Sequence, residues 1–318
     1  MLVVCGEAVL DLVSDGSPHG YQALPGGSPV NVAVGAARLG VPTCLLARFG
    51  SGRFGEMLRA HVVDAGVNLS LSVMAEEPAT LAVVSLDPTG SPSYDFYVDG
   101  TAEAAWARAD FPDQLPTEAR ALHIGSIASW RAPAAGLIAD LVVRENQRGA
   151  VLISFDPNLR PALVDDPGAS KARVERMLGL AHLIKTSAED LRWLYPFEDP
   201  DAAAQRWAQL GPALVVLTDG ARSVRAYRPS RSIAAVPTRR VRVVDTVGAG
   251  DAFNAGLLVA LAERDRLSPD GLANLDDPSL EAVLRSAVAV AAITCARRGA
   301  DPPSRDERDR ALAASGSR

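Results

Sequence analysis

The sequence predicts an α/β protein, a mostly parallel sheet with helices packed on both faces. Three observations point there. Short apolar runs of strand length alternate with longer amphipathic runs along the 318 residues, and strand–helix–strand alternation is how a parallel sheet with helical crossovers reads. Aromatics are 5% of the chain, while Ala and Val abound within a 48% apolar composition. That suits β-branched strands and Ala-rich helices, and it is enough for a sizeable core. At this length one domain over 1–318, with a small appendage, is expected.

In chain order, "LVVC" (2–5) reads as a buried strand, followed by "GEAVLD". Residues 11–25 are rich in Ser, Gly and Pro, with weak strand character. "NVAVGAARLG" (31–40) has helical spacing and a closing Gly. "TCLLARF" (43–49) is a strand and "RFGEMLRAHVVDAG" (53–66) a helix. Residues 79–99 alternate around "DPTGSP" and read as a β-hairpin. A hairpin is not stable alone, so 11–25 and 79–104 together predict a small β element projecting from the main domain. "RALHIG", "AVLISFD", "HLIKT" and "ALVVLT" are further strands. They alternate with the helices "AAGLIADLVVRENQRG", "SAEDLRWLYP" and "DAAAQRWAQLG". "DAFNAGLLVALAERD" and "SLEAVLRSAVAVAAITCARRG" close the pattern as two helices, and the charged, then small and polar tail after Pro303 reads as frayed.

The formal charge of −6 excludes the basic stripe of a nucleic-acid binder. Cys5, Cys44 and Cys295 have no metal-ligand spacing and lie in apolar stretches, so they read as buried thiols in a reducing cytoplasm. Glu7 and Asp11 interrupt the apolar start, with no basic region before it, unlike a signal peptide. No stretch reads as a membrane span. His19, His61, His123 and His182 show no metal spacing, and His123 and His182 fall in strands.

The chemistry concentrates in "DTVGAGDAFNAG" (245–256), where near-bare backbone turns into an apolar helical run. The helix begins near Ala249–Asp251, so its first amides point outward with the positive end of the dipole. Gly248, Ala249 and Gly250 leave that end open to a phosphate and to charge developing on a transferring phosphoryl group. Asp251 beside such a hole is placed to accept a proton from an attacking hydroxyl; it reads equally as an ordinary first-turn acid. Asp245 reads as a loop or capping acid. Neither GxxxxGK[ST] nor a GxGxxG after the first strand is present.

"DTVGAGDAFNAGLL" resembles the C-terminal signature of the ribokinase-like (PfkB-type) sugar kinases, and "GGSPVNVAVGAARLG", with Gly50 ten residues on, resembles their N-terminal one. The resemblance spans essentially the whole chain. It implies a three-layer α/β/α sandwich of about nine strands with a small β-sheet lid. Asp11, Gly26, Gly27 and Asn31 match its sugar-binding positions. "FDPNLR" resembles a segment of fructokinase-like and ketodeoxygluconate-kinase-like members and adds Asn158 and Arg160 facing substrate or phosphate. On the nucleotide side it implies Lys185, Ser187, Thr218, Gly220, Gly248, Gly250 and Ala292. Asp190 stands where the family usually has a Glu that organises the magnesium waters, with Glu189 beside it.

The function implied is an ATP- and Mg²⁺-dependent sugar kinase, with room for a monovalent cation such as K⁺. Fructose is the favoured substrate from the hairpin, although Ser91 and Pro92 replace the acidic part of the fructokinase pattern. 2-Keto-3-deoxygluconate competes, since Arg160 would serve its carboxylate. The other classes weighed are a non-catalytic sugar or nucleotide sensor on the same fold and a dinucleotide-dependent oxidoreductase. An intact Asp251 with its GAG turn argues against the first, and the missing GxGxxG against the second. The partners expected are a small sugar and ATP, with no nucleic acid or membrane, and a second copy of the chain across the lid.

Overall fold

The computed structural model describes residues 1–17, 19–86, 92–229 and 231–316. β1 (Leu2–Cys5) is wholly buried. It leads into β2 (Val9–Ser14), β3 (Tyr21–Gly26) and α1 (Ser28–Arg38). Pro29 lies in the first turn of α1, where a missing N–H costs nothing. β4 (Thr43–Leu46) and β5 (Arg48–Ser51) divide the run expected as one strand. The chain changes sheets at Ala47, because β4 pairs with β1 whereas β5 pairs with β6 (Val73–Pro78). α2 (Gly52–Asp64) lies between them in sequence. β7 (Thr80–Leu86) and β8 (Pro92–Tyr97) form the expected antiparallel hairpin, whose turn at 87–91 lies outside the described residues.

The next stretch holds β9 (Ala121–Gly125), α3 (Ser126–Trp130), α4 (Ala134–Arg148), β10 (Leu152–Asp156), α5 (Pro167–Leu178), β11 (Leu183–Ser187), α6 (Ala188–Leu194), α7 (Pro200–Ala208) and β12 (Leu214–Thr218). β13 (Ser223–Arg228), β14 (Arg231–Pro237), α8 (Ala249–Ala262), α9 (Pro269–Ala273), α10 (Asp277–Cys295) and α11 (Arg305–Gly316) complete the chain.

The main sheet has eight strands in the order β14-β13-β12-β11-β10-β9-β1-β4, parallel from β12 to β4 and antiparallel at β13 and β14. Alternate side chains serve opposite faces. Leu2 and Val4 enter one core with residues of α1, α8 and α10, while Val3 and Cys5 enter the other with residues of α4, α5 and α7. Helices therefore cover both faces, giving a three-layer α/β/α sandwich. A separate four-stranded sheet has the order β3-β2-β7-β8, with β2 and β7 parallel.

Two expectations need correction, those for the tail and for one thiol, and one helix calls for comment. The tail is not frayed, because it forms α11. Ser304 and Glu307 make reciprocal bonds at its start (2.8 and 3.4 Å), and buried Arg308 pairs with Glu263 at 2.8 and 3.0 Å. α10 is, by length and composition, apolar enough to cross a membrane, but over half of it is buried inside the protein. Leu280, Val283, Leu284 and Ala287 belong to the same core as Leu257, Leu258 and Leu261 of α8, so α10 is a core helix. Finally, Cys5 and Cys44 are buried, but Cys295, at the end of α10, is half-buried.

Candidate active site

The parallel strands β1, β9, β10, β11 and β12 all end on one side of the main sheet, the side where open α/β sheets bind ligands. α8 starts there. Its N-cap is Gly248, with φ 72° in the left-handed region, and a Cβ at that position would stand 2.5 Å from that of Ala300. The amides of Gly250 and Asp251 have no partner among the described residues, as expected at a helix start. The end of α8 is thus open backbone with two free donors.

Asp251, in this first turn, is buried. Ser28 Oγ donates to its Oδ1 at 2.6 Å, Asn31 Nδ2 to its Oδ2 at 2.8 Å, and Asn158 Nδ2 to its Oδ1 at 3.4 Å. Burial pushes its pKa up, whereas the Ser28 and Asn31 bonds and the Arg160 and Lys185 charges pull it down; the net direction is up from 3.8. Such a carboxylate is more basic than a solvated one, and its bonds hold it in a fixed orientation.

Asp11, on β2, belongs to the small sheet. A Cβ on Gly26 would stand 2.5 Å from Asp11 Oδ2, and one on Gly27, at φ 96°, would stand 2.7 Å from the Glu7 carbonyl oxygen. Glycine is what lets this backbone lie against the carboxylate. Burial pushes Asp11 up to about 7, with Arg160 opposing and the Asp251 charge adding to the push.

The loop after β10 supplies the third side. Asn158 has φ 37°, a left-handed conformation that Asn tolerates better than most residues. Its amide N–H donates to Asp156 Oδ1 at 3.2 Å, and its side-chain oxygen accepts from Arg160 Nη1 at 2.7 Å. Beneath it lies an ion pair. Lys185 is buried, and its Nζ donates to Asp156 Oδ2 at 3.0 Å. Asn254, one turn after Asp251, donates to the same oxygen at 2.7 Å.

Asp11, Gly26, Asn31, Asn158, Arg160, Lys185, Gly250 and Asp251 thus form one cluster, joined by contacts and by charge. Asp190 lies behind it: its Oδ1 accepts from the Leu159 amide at 2.9 Å, and its Oδ2 accepts from Ser187 Oγ at 2.7 Å in a box that caps α6. Burial pushes its pKa up. Thr218 Oγ1 donates to the Thr186 carbonyl at 3.3 Å. Glu189 and Gly220 are exposed and Ala292 is buried on α10; among the described residues no hydrogen bond or ion pair joins these three to the cluster. Asp245 is a loop acid, accepting from the Val247 and Gly299 amides at 3.0 and 2.9 Å. His123 sits buried in β9, its Nδ1 3.0 Å from Ser154 Oγ; burial brings its pKa down to about 4, with the Asp156 charge opposing and that of Lys185 adding to the fall.

Sequence reasoning missed Ser28, Asp156 and Asn254. All three lie inside motifs already singled out: "GGSPVN", "SFDPNLR" and "DAFNAG". A carboxylate at a buried strand end and an amide at i+3 from Asp251, on the same helix face, were the available signals.

Among the described residues no three His, Cys, Asp or Glu side chains cluster as a metal cage. A metal ion here would be held by phosphate oxygens and water, with a carboxylate acting from behind. That donor set suits a hard cation such as Mg²⁺.

Comparison with known proteins gives one family. Residues 1–307 match the pfkB family of carbohydrate kinases. A fructokinase of Rhizobium leguminosarum bv. trifolii is 36% identical over 283 residues, covering 88% of this chain and 85% of that one. A Klebsiella pneumoniae fructokinase is 36% identical over 276 residues, with 86% and 87% covered. Among solved structures, the fructokinase of Xylella fastidiosa with bound ATP superposes with a TM-score of 0.90 at 31% identity, covering 99% of each chain. A Vibrio cholerae O395 fructokinase double mutant, bound to fructose, ADP and potassium ion, gives 0.82 at 30% identity, over 94% and 93%.

Proposed function

The chain belongs to the pfkB family of carbohydrate kinases, and from that premise we propose that it is a fructokinase, transferring the γ-phosphate of ATP to a hydroxyl of fructose. The observation that carries the reading is Asp251, a buried carboxylate with a raised pKa beside two free amides at the start of α8. The solved relatives bound to ATP, or to fructose and ADP, support the substrate pair.

Each residue then has a role. Asp11 accepts hydrogen bonds from sugar hydroxyls, and Gly26, Gly27 and Asn31 let backbone and amide approach the sugar. Asn158 and Arg160 border the sugar and the phosphoryl group. Asp251 takes the proton of the attacking hydroxyl, held in place by Ser28 and Asn31. The turn Gly248–Ala249–Gly250 and the amides behind it stabilise charge developing on the phosphoryl oxygens. Lys185, Ser187, Thr218, Gly220 and Ala292 border the nucleotide. A divalent ion, Mg²⁺ in this reading, supplies charge neutralisation when bound. Asp190 orders its water shell from behind, with Glu189 at the rim, and K⁺ is the monovalent ion tried first.

The domain is single over 1–318, and the four-stranded sheet, about 11–25 and 79–104, is its lid. Lid closure over the sugar excludes water and so limits ATP hydrolysis. The outer strands of that sheet carry Tyr21 and Tyr97, 51% and 60% exposed, which a second copy of the chain would cover. Three free cysteines fit a reducing cytoplasm.

The test is ADP release from ATP and Mg²⁺ with a sugar panel. Fructose should stimulate it, and Asp251→Asn should cut turnover by about 10²-fold or more while ATP still binds, the scale of a positioned base. A response to ketodeoxygluconate alone would overturn the substrate, and silence with every sugar would overturn the kinase reading, leaving a sensor.

A further inference from the structure

Lys185 is 4% exposed, yet it has three N–H donors and, among the described residues, one hydrogen-bond partner. That partner is Asp156, fully buried, whose Oδ2 also accepts from Asn254 at 2.7 Å. The ammonium lies 3.1 Å from the point where a Gly250 Cβ would stand. The unspent donors of Lys185 are therefore beside the same turn that carries the free amides of Gly250 and Asp251. A buried ion pair is a poor device for stability, since burying two charges costs about as much as their attraction returns. One whose cation keeps unspent donors beside an anion-facing turn is better explained by what the cation meets there.

We propose that Asp156 is a positioning residue: with Asn254 it holds the Lys185 ammonium against the first turn of α8, where Lys185 meets the phosphoryl group in transfer. The arrangement explains three sequence choices together. Asp156 ends β10 so that its carboxylate reaches β11, the next strand. Asn254 lies at i+3 from Asp251, so one face of α8 presents the proton acceptor and the residue that fixes the cation's anchor. Gly250 lacks the Cβ that would crowd Nζ. The inference rests on the kinase reading above, because it places a phosphoryl group at that turn.

A double-mutant cycle tests it, with sugar-stimulated ADP release as the readout and melting curves as the control for folding. Asp156→Asn should lower kcat by about tenfold or more with a smaller change in the sugar KM, the mark of an interaction made chiefly in the transition state. In a Lys185→Met background the same substitution should change kcat by less than about twofold, because Asp156 then has no ammonium to hold. Equal losses from Asp156→Asn in both backgrounds would overturn the proposal and give Asp156 a separate task, such as ordering metal-bound water. The pH profile gives a second reading. Burial alone would pull the Lys185 pKa down, and the charges of Asp156, Asp190 and Asp251 facing it hold it up; His123 of β9, the other titratable group near the pair, has its pKa brought down to about 4 and stays neutral across the alkaline range. Removing the Asp156 charge should bring the alkaline fall in kcat to lower pH than in the unaltered protein; an unmoved alkaline limb would count against it. Should Asp156→Asn fail to fold, Asn254→Ala takes its place in the cycle, with a smaller loss expected that again disappears with Lys185→Met. An unaltered protein inactive with every sugar would sink the kinase reading itself, whereas an active one with independent losses would sink only this inference.

Discussion

Burial pushes the Asp11 carboxyl up to about 7 in the sugar-free site. Below that pH the group is largely neutral and accepts hydrogen bonds less strongly; above it, the carboxylate is available to sugar hydroxyls. The sign follows: kcat/KM for the sugar should climb as pH rises through about 7 and level off above it. Asp11→Asn should remove that limb, leaving the acid limb of Asp251, whose pKa also lies above the ordinary range. An unchanged limb near 7 in Asp11→Asn, measured from pH–rate profiles, would assign it elsewhere. At this scale the sequence was most informative where a motif names the atom needed, as at Asp251. It was least informative where a residue serves another residue. Ser28 acts on Asp251, Asp156 on Lys185 and Asn254 on Asp156, across 223, 29 and 98 residues of chain, and no local spacing encodes such a pairing.

At the scale of the element, α8 separates two uses of glycine. Gly248 is required by the backbone: its φ of 72° and the 2.5 Å approach to Ala300 leave no place for a Cβ. Gly248→Ala should therefore lose stability by about 1–2 kcal/mol or more in urea denaturation, the cost of a left-handed non-Gly residue plus the clash. A Cβ at Gly250 would approach only Lys185 Nζ, at 3.1 Å, the far end of a long side chain. Gly250→Ala should cost less stability than Gly248→Ala, because only a side-chain end must give by a few tenths of an ångström, while turnover falls by about tenfold from the displaced ammonium. Equal stability losses in both would remove the distinction. Helix starts were readable where a polar cap precedes an apolar run. α11 escaped because its packing rests on charge, Arg308 with Glu263 and Arg297 with Glu307, rather than on an apolar stripe. β13 and β14 escaped because their polar residues read as loop, though pairing with β12 makes them sheet.

At the scale of the molecule, the small sheet sets Asp11 over the end of the main sheet and leaves β3 and β8 as its edges. Unpaired edges invite pairing with another chain. If a second copy covers this sheet, the protein should sediment as a dimer, and Tyr97→Asp together with Tyr21→Asp should shift it to monomer while the far-ultraviolet CD spectrum is kept. Sedimentation of the unaltered protein as a monomer would discard the arrangement.

Apolar periodicity alone determined the layered α/β architecture, because the period of burial is a local property of the chain. The Gly-rich turn before Asp251 marked by itself where phosphate chemistry is expected, because an open helix end needs only its own few residues. Tertiary structure alone decided that Lys185 is buried against Asp156, that Asn254 bonds the same carboxylate, and that Asp11 of the small sheet comes near Asp251 of α8. Those are contacts between elements distant in sequence, and burial and pKa arise only when the elements pack together.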